Sequence, residues 1–535
     1  MKSLLLLLTF LSAINIVIGQ TKTSSLAVTS GTHILIKKDT FIIKSINYDN
    51  NVKQRFDTPN SPTEEEYNDI KRLGFNTIKL LMSYQDFEKK GVEGEYKKKG
   101  WDWIDSHISL AKKHQIKLIL SLYTPPGGHQ SSEASDELWL NTGFQLRLIR
   151  LWYNISLRYK NESLIIAYDI LDAPSPKYSI SQWKQLAKNV VDDLRNNGDQ
   201  HIVILHNCVF TAGSTAKKSP EKFNFPVLKN QPNIIYAFDY WNDRAFTQQH
   251  IKGLPYFNNN ETYPNQQEFT FPNDLVTTRT TDDNTRIGKG TNEFSFTEGK
   301  KYLVNDSNTV SILPVIYSNN LMPGFAFYNT IIVKEFSPTG RYIRDIMLAD
   351  PNKVEGWEID SEDPDAKFKL IPDYGMSLVS VIRIDRVNKP TRIFNTCMRF
   401  KPKFGYYYSV GAHTLTKSIN FEGESYLRLE FEKSATNKVP TPRTKEGIET
   451  ELNYYTEWSK QNNLPIMISS FGSSEYSFKR KRGGDTYLKD VINITLQQKI
   501  NYSFNSYNGR YFGLYSIDKN GQLTPRKPQL NVWED

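Results

Sequence analysis

Short β-branched apolar runs at 78–81 and 116–120 flank a stretch, 101–114, whose apolar positions recur at helical spacing. Strand, helix, strand in that order predicts a parallel βα unit. Further strands are predicted at 164–170, 201–205 and 234–238, with helices at 143–160 and 181–196 between them; the pattern begins near residue 30, and with a first strand ahead of residue 78 six strands are placed by residue 240. The next helix-then-strand pair comes at 445–461 and 466–469, and a last strand is predicted at 511–515. Eight such units predict an α/β fold, a (β/α)8 TIM barrel.

A βα unit of a barrel takes about 30 residues, because about 250 serve eight of them. The sixth unit runs far beyond that. Between 283 and 437 the pattern changes to short alternating runs, among them Thr330-Ile331-Ile332-Val333 and Tyr426-Leu427-Arg428-Leu429-Glu430, separated by turn residues. Regularly spaced short strands predict an all-β sandwich, jelly-roll-like, inserted after strand six. The expected division is a barrel at 28–282 and 438–535 with the sandwich at 283–437. An insert that leaves after a strand and returns before a helix sits on the βα-loop face, where barrel enzymes hold their sites.

Composition adds a compartment. Residues 1–19 run from Lys2 through the apolar Leu4 to Leu8 and on to Gly19, the order of a signal peptide. A secreted, extracellular protein is therefore expected. No later run of about 18 apolar residues offers a membrane span, and mean hydropathy is -0.54. Six Asn-X-Ser/Thr sequons, at Asn154, Asn161, Asn260, Asn305, Asn493 and Asn501, agree with a secretory route. The two cysteines, Cys208 and Cys397, admit either one bridge or two thiols. The net charge of +9, from 67 basic and 58 acidic residues, is a mild excess. Its clearest run, Lys479-Arg480-Lys481-Arg482, reads as a solvated loop, and no motif points to nucleic acid. No metal-ligand spacing, phosphate-binding glycine loop or nucleotide fingerprint occurs, so no cofactor and no metal are expected.

Five segments carry a resemblance. Leu73-Gly74-Phe75-Asn76-Thr77-Ile78-Lys79-Leu80 looks like the second strand of glycoside hydrolase family 5, the cellulase-like barrels, and Pro125-Pro126-Gly127-Gly128 like the loop after their third. Residues 151–174 resemble the helix and fourth strand, Tyr236-Ala237-Phe238-Asp239-Tyr240-Trp241 the sixth, and 465–472 the seventh. Family members carry out retaining hydrolysis of β-glycosides, with one carboxylic acid protonating the leaving oxygen and a second carboxylate, about 5 Å away, attacking the anomeric carbon. The resemblance puts these in an Asn-Glu-Pro motif ending strand four and a Gly-Glu-Phe-Gly motif ending strand seven. Here the chain reads Asp172-Ala173-Pro174 and Ser469-Ser470-Phe471-Gly472.

The resemblance thus implies a degenerate member, a pseudoenzyme with Ala173 at the acid/base position and Ser470 at the nucleophile position. Lys79, Tyr123, Asp239 and Trp241 stand where the family has other polar or aromatic groups, and Tyr515 is the nearest residue to the strand-eight Trp. Asp172 and Asp239 are the fallback carboxylates of an active O-glycosyl hydrolase acting on β-glycosides. A cleft without catalysis still binds: Tyr123, Trp241 and Tyr515 offer flat faces to sugar rings, with Asn47, Lys79, Asp172 and Asp239 as hydroxyl partners. The packing alternative is a protein-interaction scaffold whose aromatics only fill the barrel. Within the insert, the run from Gly324 to Glu335 looks like a late strand of jelly-roll carbohydrate-binding domains. Trp357 and Tyr406-Tyr407-Tyr408 line a glycan site there or fill the sandwich core.

Overall fold

The computed structural model describes residues 26–534 except 54–56, 131–136, 209–224, 255, 258, 282–292, 350–356, 372–380, 418–422, 480 and 519–521. The expected signal peptide, 1–19, lies outside the described residues.

Eight parallel strands close into a barrel: Lys44–Tyr48, Thr77–Ser83, Lys117–Thr124, Ile165–Asp169, Ile202–His206, Ile234–Tyr240, Ile466–Phe471 and Asn501–Phe504. Strand eight pairs with strand one in parallel register, Ser503 opposite Ser45. The eighth strand therefore lies ten residues before its expected place, and 511–515 leads instead into an antiparallel pair, Tyr515–Ile517 with Leu523–Pro525.

Alternation along these strands sorts their side chains into two compartments. Outward residues such as Ile78, Leu120, Tyr168, Leu205, Phe238 and Ile468 pack beneath helices that bury Trp103, Trp152 and Trp183. Inward residues form tiers. The lower tier is apolar, with Ile119, Ile204, Ile235, Ala237 and Met467, and the hairpin of Val28–Ser30 and His33–Ile36 stops the barrel from below through Ala27 and Ile34. One tier higher the same inward positions read Asn47, Lys79, Asp169, His206, Asp239 and Ser469. A polar tier at the carboxyl ends of buried strands is what positions the site.

Between strands six and seven the chain builds two antiparallel sheets. One orders Leu275–Thr280, Glu424–Ser434, Ser311–Asn319, Thr391–Asn395 and Trp357–Ser361; the other is organised on the long pair Phe325–Phe336 and Tyr407–Lys417. Their facing residues, among them Ile316, Tyr328, Val333, Ile393, Val410 and Leu429, form a core separate from that of the barrel. Leu275–Thr280 already pairs with Glu424–Ser434, so the sandwich sheet begins before residue 283. The two-stranded pair Asn265–Thr270 with Thr441–Arg443 marks where the chain departs and returns. There Arg443, 4% exposed, holds Asp243 at 2.5 Å and Glu261 at 2.8 Å.

Cys208 and Cys397 are thiols, the first buried and the second exposed. Asn161, Asn260, Asn305 and Asn493 are exposed and Asn154 is half-buried. Asn501 corrects the sequon reading. It is 4% exposed within strand eight, its Nδ2 donates to the Ile466 carbonyl at 3.0 Å, and its Oδ1 accepts from the Ile43 amide at 2.9 Å. Both ends of that amide serve the barrel, leaving no acceptor nitrogen for a glycan.

Candidate active site

The centre of the polar tier is Lys79, 0% exposed. Its Nζ lies 2.8 Å from Asp169 Oδ2 and 3.1 Å from Asp172 Oδ2, and donates to Ser469 Oγ at 2.5 Å. Asp169 ends strand four and is fully buried; its Oδ1 lies 3.0 Å from His206 Nε2, at the end of strand five. Ser469 Oγ lies 3.1 Å from the same nitrogen.

Each group shifts its neighbours. Burial alone would weaken the Lys79 ammonium, but Asp169 and Asp172 outweigh it and hold the proton more tightly than usual. Burial would likewise raise the Asp169 carboxyl, yet His206 and Lys79 beside it carry it well below the usual carboxylate range. His206 is raised above its ordinary value because the attraction of Asp169 and Asp172 exceeds its desolvation. Asp239, at the end of strand six, moves the other way: burial and the nearby Asp172 push it up to about 6.

Asp169, Asp172 and His206 place donor atoms within 4.8 Å of one another. Those donor types suit a divalent cation, but the Lys79 ammonium already lies against both carboxylates.

Ala173 is 9% exposed and has a φ of 44°, left-handed backbone that a non-glycine residue adopts only when its surroundings hold it there. Its amide points at His206 Nδ1, 3.4 Å away. Ser470 is 8% exposed and accepts a hydrogen bond from Asn47 Nδ2 at 2.9 Å. Asn47 in turn accepts from Ser503 Oγ at 2.6 Å and donates to Asn505 Oδ1 at 3.3 Å. A register shift between Ile468 and Ser470 sets two residues of strand seven against one of strand six, so Ser469 and Ser470 both face inward. The serine beside His206 is therefore Ser469, not Ser470 at the nucleophile position.

Tyr123 and Trp241 are half-buried at the mouth. Tyr123 stacks on His129 at 4.5 Å between ring centroids, and Trp241 meets Phe512 at 4.8 Å. Gly472 makes that wall possible, since a Cβ there would come within 2.7 Å of the Asn505 carbonyl and 3.5 Å of the Trp241 ring. Tyr515 does not join them. Its hydroxyl donates at 2.8 Å to Asp69, on helix Glu64–Arg72 outside the barrel. The residue that follows strand eight at the mouth is Asn505, through its contact with Asn47. Sequence reasoning missed Asp169, Ser469, Ser503 and Asn505; an inward register on strand four would have found the first.

A closed eight-stranded parallel barrel with carboxylates, a histidine and aromatics at its carboxyl-end mouth carries its polar groups on the face where (β/α)8 barrel enzymes hold their sites. Residues 41–297, just under half of the chain, match the family model described as Cellulase (glycosyl hydrolase family 5), and the barrel is similar to that family. The chain is 26% identical over 219 residues to Endoglucanase C of Acetivibrio thermocellus, covering 40% of this chain and 61% of that protein. It is 28% identical over 151 residues to a beta-xylosidase of Phanerodontia chrysosporium, covering 27% and 31%. The chain thus spans about three fifths of the length of the endoglucanase relatives, at 61%. Endoglucanase Cel5A of Thermotoga maritima superposes with a TM-score of 0.46 at 13% identity, over 91% of this chain and 96% of that one.

Proposed function

We propose that this is a secreted, N-glycosylated pseudo-glycosidase that binds a β-linked glycan in the barrel cleft, or serves an extracellular structural role, without cleaving a glycosidic bond. The observation that carries the reading is the pair Ala173 and Ser470, at the positions that the family resemblance gives to acid/base and nucleophile. Ala173 has no proton to transfer, and Ser470 Oγ is held by Asn47 with no base beside it among the described residues. Ser469, the serine next to His206, receives a hydrogen bond from a tightly protonated Lys79, which draws electron density from the oxygen a nucleophile needs. Asp169 and Asp172 are taken up by the same lysine. Asp239 remains, and retaining hydrolysis needs two carboxyl groups.

The mouth keeps what binding requires: half-buried Tyr123 and Trp241 as apolar walls and Asp172, Asp239 and Asn47 as polar partners. The inserted sandwich, with its own core, is proposed as a second domain, although Tyr408 and Trp357 belong to that core. Secretion rests on the 1–19 segment and the exposed sequons. A second reading, hydrolysis of β-glycosides through relocated carboxylates, draws on Asp239, whose value near 6 lies in the range of a general acid. A glycan array probed with the purified full chain tests the proposal. Retention of β-linked oligosaccharides is expected, and an array with no bound glycan would leave the protein-interaction scaffold.

A further inference from the structure

The polar tier does not balance its charges. Three carboxylates, Asp169, Asp172 and Asp239, face two buried cations, Lys79 and His206, both engaged elsewhere, while Arg244 stands exposed in the loop after strand six. Lys79 bridges Asp169 and Asp172; His206 lies 3.0 Å from Asp169 and 3.9 Å from Asp172. No hydrogen bond or ion pair reaches Asp239 from the described residues, and its Oδ1 is shut off from solvent without a partner. A buried acceptor left in that state costs roughly 1–3 kcal/mol, and the cost falls when a ligand supplies the missing donor.

We propose that the cleft selects a glycan bearing an unacetylated amine, a β-linked glucosamine-type oligomer, whose ammonium pairs with Asp239. The inference rests on the glycan-binding reading and names the ligand class of that same site. An ammonium is the group that the count lacks: it donates to Asp239, relieves its repulsion with Asp172, and brings the tier toward neutrality. Ala173 and Ser470, where the family resemblance places two glutamates, add no further carboxylate to the tier. Bulk attraction plays no part, because a chain of net charge +9 repels a polycation.

The charged and titratable groups facing Asp239 are Asp172 from the strand-four end, His206 from strand five, Lys79 from strand two and Arg244 from the loop after strand six. Tyr455 faces it from helix Lys445–Asn462. Burial and Asp172 raise the Asp239 carboxyl to about 6, so the anion that pairs with an ammonium forms as pH rises through that value. Affinity for the amine-bearing oligomer should therefore climb from pH 5 to 6.5. The N-acetylated oligomer, which brings no positive charge, should show no such climb.

Isothermal titration of the full chain at pH 6.5 with hexamers of glucosamine, N-acetylglucosamine, β-1,4-linked glucose and β-1,4-linked mannose decides the matter. The glucosamine hexamer should bind at least about tenfold tighter than its N-acetylated counterpart, a difference of about 1.4 kcal/mol. Asp239→Asn should abolish that preference and Asp239→Glu should retain part of it, both with wild-type circular dichroism. Equal affinity for neutral and amine-bearing hexamers, or a preference that survives Asp239→Asn, would overturn the inference while leaving the glycan-binding reading intact. Binding of no hexamer at all would overturn both.

Discussion

Replacing Lys79 with Met removes one charge from the most enclosed point of the barrel. Met matches the aliphatic stem in length, so the change is chiefly electrostatic. It deletes the contacts at 2.8 Å to Asp169 and 3.1 Å to Asp172 and the donor to Ser469 at 2.5 Å. Asp169, 0% exposed, is left with His206 as its one cationic neighbour among the described residues. Removing one partner of a buried ion pair costs about 3–5 kcal/mol, which is the loss expected at pH 7. The pH dependence fixes the cause. Asp169 is depressed in the folded state, so in the wild type it contributes stability above its unfolded value near 4 and loses it as pH falls. Lys79→Met removes most of that contribution, and the gap between variant and wild type should narrow toward pH 4 and below. Urea unfolding followed by the fluorescence of Trp103, Trp152 and Trp183, all buried around the barrel, reads the difference. Adding Asp169→Asn should recover at least about 1 kcal/mol relative to the sum of the single changes, because the two groups touch. A loss below about 1 kcal/mol, a loss equal at pH 7 and pH 4, or strict additivity with Asp169→Asn would refute the reasoning.

Asp239→Asn should stabilise the protein. Its folded value near 6 exceeds the unfolded one, so wild-type stability falls as pH rises from 4 to 6, and the variant should gain about 1–3 kcal/mol at pH 7 and nothing below pH 4 in a denaturation series. Asn501→Ala leaves the Ile43 amide and the Ile466 carbonyl without their partners inside the barrel and should cost about 2–4 kcal/mol by urea titration. Peptide mass spectrometry of the protein expressed through a eukaryotic secretory route should find Asn501 unmodified while exposed Asn161, Asn260 and Asn305 carry glycan. Gly472→Ala drives a Cβ to within 2.7 Å of the Asn505 carbonyl and should weaken glycan binding by shifting Asn505 and its contact with Asn47, with retained β-oligosaccharide on an affinity column as the readout.

The alternation of apolar runs made six barrel strands legible because those strands are buried on both faces and so read as near-continuous Ile, Leu and Val. Strand eight escaped because its four residues, Asn501–Phe504, spend two on inward polar duties, while the aromatic 511–515 has the stronger β character. The start of the sandwich was misplaced for a related reason: Leu275–Thr280 is an edge strand whose middle positions are exposed, three of the four being Thr277, Thr278 and Arg279. In the site, the irregularity in strand seven hid the role of Ser469. A one-residue offset exchanges the two faces of a strand, and nothing in two adjacent serines announces where the bulge falls. Asp169 and Lys79 meet across 90 residues of sequence, a pairing that only the closed barrel creates.

The central claim, that the cleft binds without cleaving, is tested most directly by the unmutated protein. Purified full chain, incubated with β-glucan, β-mannan and aryl β-glycosides across pH 4–8, is expected to release no reducing sugar or phenol above the uncatalysed rate. Turnover that persists through purification and disappears in Asp172→Asn or Asp239→Asn would contradict the account and establish a hydrolase with relocated carboxylates.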